Sequence, residues 1–274
     1  MSEETNLIEK GKRFDGRSLK ELRPLTIKAH VLPRAEGSCY LEWGQNKAIA
    51  GVYGPKETIP KHFADPLKGI IKFNYRMAGF SVSDRKSPKP GRREVEISKV
   101  CGEALARAVF LEKYPNTMIE VFVEILDSDA GSRVAALTAA AVALADAGIP
   151  MRDLVSAVAV GEIFKTPVVD MTKVEEDVED AVDMPFAVLP NSKEIVLLQL
   201  DGLISLNDFK QAIKNGLEAS EKIHEIQKNA LLERYSPESV KETEPAEKEE
   251  KEEKQKKETK KKKTSKEKEG ELNE

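Results

Sequence analysis

The chain has 274 residues, 40% of them hydrophobic, with 44 basic and 48 acidic side chains and a formal net charge of −4. From Pro237 onward, 12 lysines and 13 glutamates occur with almost nothing apolar, leaving 32 basic against 35 acidic residues in the rest. Such a body can bury a core, but its charge excludes a general nucleic-acid coat protein, so any polynucleotide must meet a local cationic patch.

Residues 1–20 read as a polar arm. Met1–Asn6 has no apolar signal core, and no apolar run in the chain is long enough to span a bilayer, so a cytoplasmic protein with no membrane partner is expected. Strand-like segments follow at 24–33, 36–44 and 46–53, with turn signals such as Ala35-Glu36-Gly37 between them. A polar loop, Pro55–Lys68, leads to a strand from Gly69 to Met77. Arg92–Lys113 reads as a helix, with Val95, Ile97, Val100, Leu105, Val109 and Leu111 along one side and Pro115 ending it.

The segment 118–126 alternates, with Ile119, Val121, Val123 and Ile125 on one face and Glu120 and Glu124 on the other. The next helix, Ser132 to Ala147, is mostly alanine, which lets it lie close against a sheet, and Gly148 and Pro150 end it. Strands near 154–163, 166–171, 185–190 and 195–200 precede a final helix over 206–232. The order predicts mixed α/β structure with substantial antiparallel pairing. Beyond Ser236 the Lys/Glu-rich stretch has no apolar face and reads as a disordered tail, 236–274, after a folded 1–235. Cys39 and Cys101 lie in apolar pattern without disulfide or zinc spacing, and three scattered histidines do not suggest a histidine-rich metal site.

The most informative stretch is Asp127-Ser128-Asp129-Ala130-Gly131-Ser132-Arg133, which ends a strand and opens the alanine helix. Helix-start amides have no intrahelical partner and carry partial positive charge. Gly131 permits close approach, Ser132 adds a hydroxyl and Arg133 a forked cation suited to phosphate, so the segment suits an oxyanion. An ordinary N-cap, with Asp129 or Ser132 capping and Arg133 solvated, fits the same local sequence.

Two further features bear on chemistry. Asp177 and Asp183 lie in an acidic stretch; in an extended strand they would stand about 20 Å apart, so they share a site only if 178–182 turns back. A solvated acidic loop is the plain alternative. Arg92-Arg93 opens a helix against the dipole's preference, which points to an anionic partner, and Lys61-His62 sits in a proline-flanked loop able to track a phosphate backbone or simply exposed.

These pieces resemble the RNase PH family, most closely the catalytic subunits of archaeal exosomes. The resemblance covers the chain up to about Tyr235 and runs through Arg13-Phe14-Asp15-Gly16-Arg17, Gly37-Ser38, Gly51-Val52-Tyr53-Gly54-Pro55 and Arg92-Arg93-Glu94. It continues through Asp129–Arg133, the stretch ending at Asp153, and Asp183-Met184-Pro185. It implies a fold of mixed sheets with packed helices and a phosphate-dependent 3′→5′ exoribonuclease that releases nucleoside 5′-diphosphates from single-stranded RNA and runs backward as untemplated tailing. By the same resemblance, Arg93, Ala130, Gly131, Ser132 and Arg133 hold inorganic phosphate, the co-substrate. Asp177 assists departure of the 3′ oxygen, by donating a proton or through Mg²⁺, and Asp183 orients it or shares the metal. Lys61, His62, Arg92 and Arg93 grip RNA. Pro185 stands where related bacterial phosphorolytic nucleases carry a lysine, which removes one ligand from a metal site like theirs. The implied partners are an inactive RNase PH-like paralogue in a hexameric ring and RNA-binding cap proteins. A non-catalytic RNA-binding subunit of the same ring is the alternative reading, and a small-molecule phosphotransferase is disfavoured by the lack of a P-loop or Rossmann glycine pattern.

Overall fold

The computed structural model describes residues 7–235 apart from Lys10 and Pro88, so the expected tail lies outside the described residues. Two short strands, β1 (Ile8–Glu9) and β2 (Lys12–Arg13), pair antiparallel at the start. The arm is not merely polar: Leu7, Arg13 and Arg17 are buried.

One sheet has the order β3-β4-β5-β7-β6, from β3 (Leu25–Ala29), β4 (Gly37–Trp43), β5 (Asn46–Glu57), β6 (Ile70–Met77) and β7 (Thr117–Asp127). All its pairs are antiparallel except β6 with β7. The expected alternation holds in β7, where Ile119, Val121, Val123 and Ile125 are buried. On its other face Glu120 takes the ammonium groups of Lys56 and Lys72 from the flanking strands. The second sheet, wholly antiparallel, has the order β11-β10-β8-β9: β8 (Ser156–Ile163), β9 (Thr166–Val169), β10 (Val182–Leu189) and β11 (Glu194–Leu198).

The alanine helix, α2 (Ser132–Asp146), packs against both sheets and is buried along almost its whole length. Small side chains make this possible. At Gly37 a Cβ would fall 2.2 Å from the Ala147 nitrogen and 2.3 Å from the Ala143 oxygen, so helix backbone and strand backbone nearly touch. The helix stops where the sequence predicts: Gly148, at φ 71°, donates to Ala145 O and Ile149 to Leu144 O, pairing the last carbonyls.

On the outside lies α1 (Arg92–Ala108), packed on β6 and β11, and the short α3 (Lys173–Glu176) and long α4 (Leu206–Arg234) follow. The first of these corrects the expected helix over 92–113. Val109 leaves the helix with extended backbone and bridges Met151, and Leu111–Lys113 form a separate 3-10 turn. The apolar stripe that suggested a longer helix serves the core just as well from an extended segment. Strand bounds also move: β3 stops at Ala29 because His30 takes φ 59°, and β10 begins at Val182, ahead of Pro185.

Candidate active site

The loop before α2 is built from two consecutive left-handed residues, Ala130 at φ 53° and Gly131 at φ 66°. Gly131 is the N-cap, with no side chain capping the helix; neither Asp129 nor Ser132 plays the capping part an ordinary helix start would give it. The Ser132 and Arg133 amides meet no acceptor among the described residues and remain available to an anion. Ser132 Oγ accepts from the Tyr75 hydroxyl at 2.8 Å, and burial pushes that phenol up to about 12, so it stays a donor.

Residues far away in sequence hold this strained loop. Asn46 brackets it, donating from Nδ2 to Ala130 O at 2.6 Å and accepting from Asp129 N at 2.7 Å. Arg23 Nη1 donates to Asp129 O at 2.5 Å, and its other nitrogens reach Asp170, whose carboxylate also takes the Trp43 indole N–H at 2.9 Å. Burial alone would lower the Arg23 pKa, but Asp170 and Asp129 raise it above its ordinary value, so the clamp is permanently charged.

A cavity of about 540 Å³ opens beside the loop. Ala130, Ser132, Arg93, Arg85, Lys86, Lys173 and Glu176 are among the residues that line it. Arg93 sits in the first turn of α1, where Glu94 accepts from Gly91 N at 2.8 Å and offsets the arginines' unfavourable place on the dipole. Arg85, Lys86, Arg92 and Arg93 have no carboxylate partner among the described residues. Three of these cations therefore face one cavity unpaired.

The acidic stretch folds back. Asp177 caps the end of α3, Ala181 N donates to Val178 O, and β10 then carries Asp183. The two aspartates are in different surroundings. Asp177 is exposed and bound by Lys173 Nζ at 2.5 Å. Asp183 is partly buried, and its Oδ1 is shielded from water without a hydrogen-bond partner among the described residues. Desolvation, then Glu176 and Asp201, push its carboxyl up to about 6, while Arg133 and Arg93 pull it back. The two cations and Asp183 thus lie within electrostatic reach of one another.

Lys61 and His62 occupy a 3-10 turn, Lys61–Phe63, and do not line this cavity; Lys61 pairs with Glu57 at 3.0 Å and His62 packs on Phe63. As for a metal, no cluster of three or more histidine, cysteine or acidic side chains suited to an ion occurs among the described residues. Asp177 pairs with Lys173 at the surface and Pro185 offers no side-chain ligand, so Mg²⁺ here would be held by one or two carboxylates, Asp183 and Asp177, together with water and the phosphate itself. Sequence reasoning also missed Arg23, Asn46, Arg85, Lys86, Asp170 and Glu176. Only Glu176, next to Asp177, lay in a stretch already under suspicion.

Residues 21–150 match domain 1 of the 3′ exoribonuclease family, the RNase PH family, and residues 153–219 match its domain 2. The chain belongs to this family. It is 51% identical over 228 residues to the exosome complex component Rrp41 of Thermoplasma volcanium, covering 83% of this chain and 92% of that protein. With Rrp41 of Nitrosopumilus maritimus the identity is 50% over 227 residues, 83% of this chain and 93% of the relative. The crystal structure of rice Rrp46 superposes with a TM-score of 0.72 at 26% identity, covering 80% of this chain and all of that one. No helix among the described residues is long and apolar enough to cross a membrane.

Proposed function

We propose that this chain is the catalytic subunit of an exosome, a phosphorolytic 3′→5′ exoribonuclease that degrades single-stranded RNA to nucleoside 5′-diphosphates. The observation that carries the reading is the cavity at the α2 start: unpaired cations and free helix amides on one side, and a protonatable carboxyl within their field. Phosphoryl transfer needs positioning and charge stabilisation above all. The amides of Ser132 and Arg133, the Ser132 hydroxyl, Gly131 with Ala130 in the turn, and the guanidinium groups of Arg133 and Arg93 seat inorganic phosphate. Without them, phosphate and an RNA phosphodiester repel each other.

A phosphate oxygen attacks the last phosphorus, the bond from that phosphorus to the 3′ oxygen breaks, and the departing oxygen takes a proton. Asp183 is the donor its surroundings favour, since a carboxyl near 6 is still partly protonated at neutral pH. Asp177, held by Lys173, serves as the second carboxylate at the mouth of the folded-back loop. In the reverse direction the Asp183 carboxylate takes the proton from a 3′-hydroxyl, whose oxygen attacks the α-phosphorus of a nucleoside diphosphate; the bond to the β-phosphate breaks and inorganic phosphate leaves as the RNA is extended. Arg92, Lys61 and His62 grip the RNA backbone further out, and a hexameric ring with an inactive RNase PH-like paralogue, topped by RNA-binding cap proteins, supplies the rest of the path. A single shallow groove gives little hold on a strand, so the chain alone is expected to be much less active than the ring.

The deciding assay follows decay of 3′-tailed RNA by the reconstituted ring with and without phosphate, and identifies the product. Phosphate-dependent release of nucleoside diphosphates, lost in Asp183→Asn, is the expected result. Nucleoside monophosphates formed without phosphate would overturn phosphorolysis.

A further inference from the structure

Arg133 is held by two side chains that belong to neither the loop before α2 nor the acidic loop. Its Nη1 donates to Gln199 Oε1 and its Nη2 to Glu96 Oε2 at 3.3 Å, while Gln199 Nε2 donates to Glu96 Oε1 at 2.7 Å. The three close a ring in which each Glu96 oxygen takes one donor and the Gln199 amide uses both its ends. Only one amide orientation serves, because a flip sets NH₂ against guanidinium and carbonyl against carboxylate.

The ring ties together the pieces that phosphorolysis must align. Glu96 lies three residues beyond Arg93 on α1, and Arg133 is the second residue of α2. Gln199 directly follows β11, and its backbone N–H donates to Pro185 O at 3.1 Å, two residues past Asp183. Arginine side chains carry much rotamer freedom, so a phosphate-binding guanidinium needs such support if it is to be in place before substrate arrives.

We propose that Gln199 and Glu96 are positioning residues for phosphorolysis, fixing the Arg133 guanidinium between the phosphate seat and Asp183. Neither needs to touch RNA or phosphate.

The inference rests on the reading of Arg133 as a phosphate ligand, so Arg133→Ala in the reconstituted ring is measured alongside Gln199→Ala, Gln199→Glu and Glu96→Gln. Gln199→Ala is expected to raise the KM for phosphate roughly tenfold while the KM for RNA stays within about twofold. Gln199→Glu, almost the same size, sets a carboxylate against Glu96 and is expected to raise it further. A rise in the phosphate KM with the RNA KM held is a split that a purely structural loss would not produce. Should Gln199→Ala fail to assemble, the near-isosteric Glu96→Gln carries the test, with the same direction and a smaller change. If Arg133→Ala raises the phosphate KM and the other variants leave it unchanged, positioning by the ring is overturned and the phosphate reading stands. If Arg133→Ala itself leaves that KM unchanged, the phosphate reading falls and takes the inference with it.

Discussion

Asp183 destabilises the fold in the place where the proposed chemistry needs a proton donor. Its carboxyl is raised from an ordinary 3.8 to about 6, so the folded chain holds that proton more tightly than the unfolded chain. Stability from this group is therefore full below about pH 4, declines as pH rises through 6, and is gone at neutral pH. Asp183→Asn removes the titration but keeps the shape. It is expected to add about 1–2 kcal/mol of stability at pH 7.5 and almost nothing at pH 4, while phosphorolysis is lost. Thermal melts at the two pH values, with a phosphorolysis assay, check this. Equal melting shifts at both pH values would mean that Asp183 is not the raised carboxyl.

The elements were legible in the sequence where one residue pattern has one structural meaning. Alternation in 118–126 gave β7 its buried face, and Gly148 marked the end of α2. The pattern failed beyond Ala108, because Val109 and Leu111 suit a helix stripe and an extended core segment equally. Much the same division runs through the site. Its proposed anion-binding face was readable because Gly131, Ser132 and Arg133 are consecutive, and a helix start gives their order a physical meaning. The clamp was not: Arg23 meets Asp170 across 147 residues and Asn46 meets Ala130 across 84, and no spacing rule links them. That clamp makes its own prediction. Asn46→Ala leaves the Asp129 amide and the Ala130 carbonyl without their partner in a loop already at positive φ. A loss of about 1–3 kcal/mol in denaturant unfolding is expected, together with a raised phosphate KM and an unaltered RNA KM. A variant of wild-type stability and phosphate KM would show that Ala130 and Gly131 hold their conformation unaided.

On the scale of the whole molecule, the site draws on elements around α2, which contacts both sheets: Arg93 and Arg133 come from α1 and α2, and an acidic side of Glu176, Asp177 and Asp183 comes from α3 and β10. Something must keep the acidic side in register, and the N-terminal arm does so. Arg13 Nε donates to Glu175 Oε1 at 2.6 Å, and Nη2 pairs with the other Glu175 oxygen, with both side chains fully buried. Arg13 also donates to the carbonyls of Val169 and Asp170, the latter residue being the anchor of the Arg23 clamp. Glu175 in turn accepts from Thr172 N at 2.8 Å and from its hydroxyl at 3.0 Å, which fixes the first turn of α3. One arginine near the chain start therefore holds the helix that presents Lys173, Glu176 and Asp177. Breaking a buried pair from one side leaves an uncompensated charge, so Arg13→Met is expected to lose about 3–5 kcal/mol in urea unfolding. Adding Glu175→Gln to Arg13→Met removes that stranded charge and should return a good part of the loss. Activity should not follow stability back, because α3 still lacks its anchor: the double variant is expected to refold with a kcat well below that of the parent. If the double variant regained full kcat, the arm's contribution would be to stability alone, and the register of the acidic side would have to come from β10.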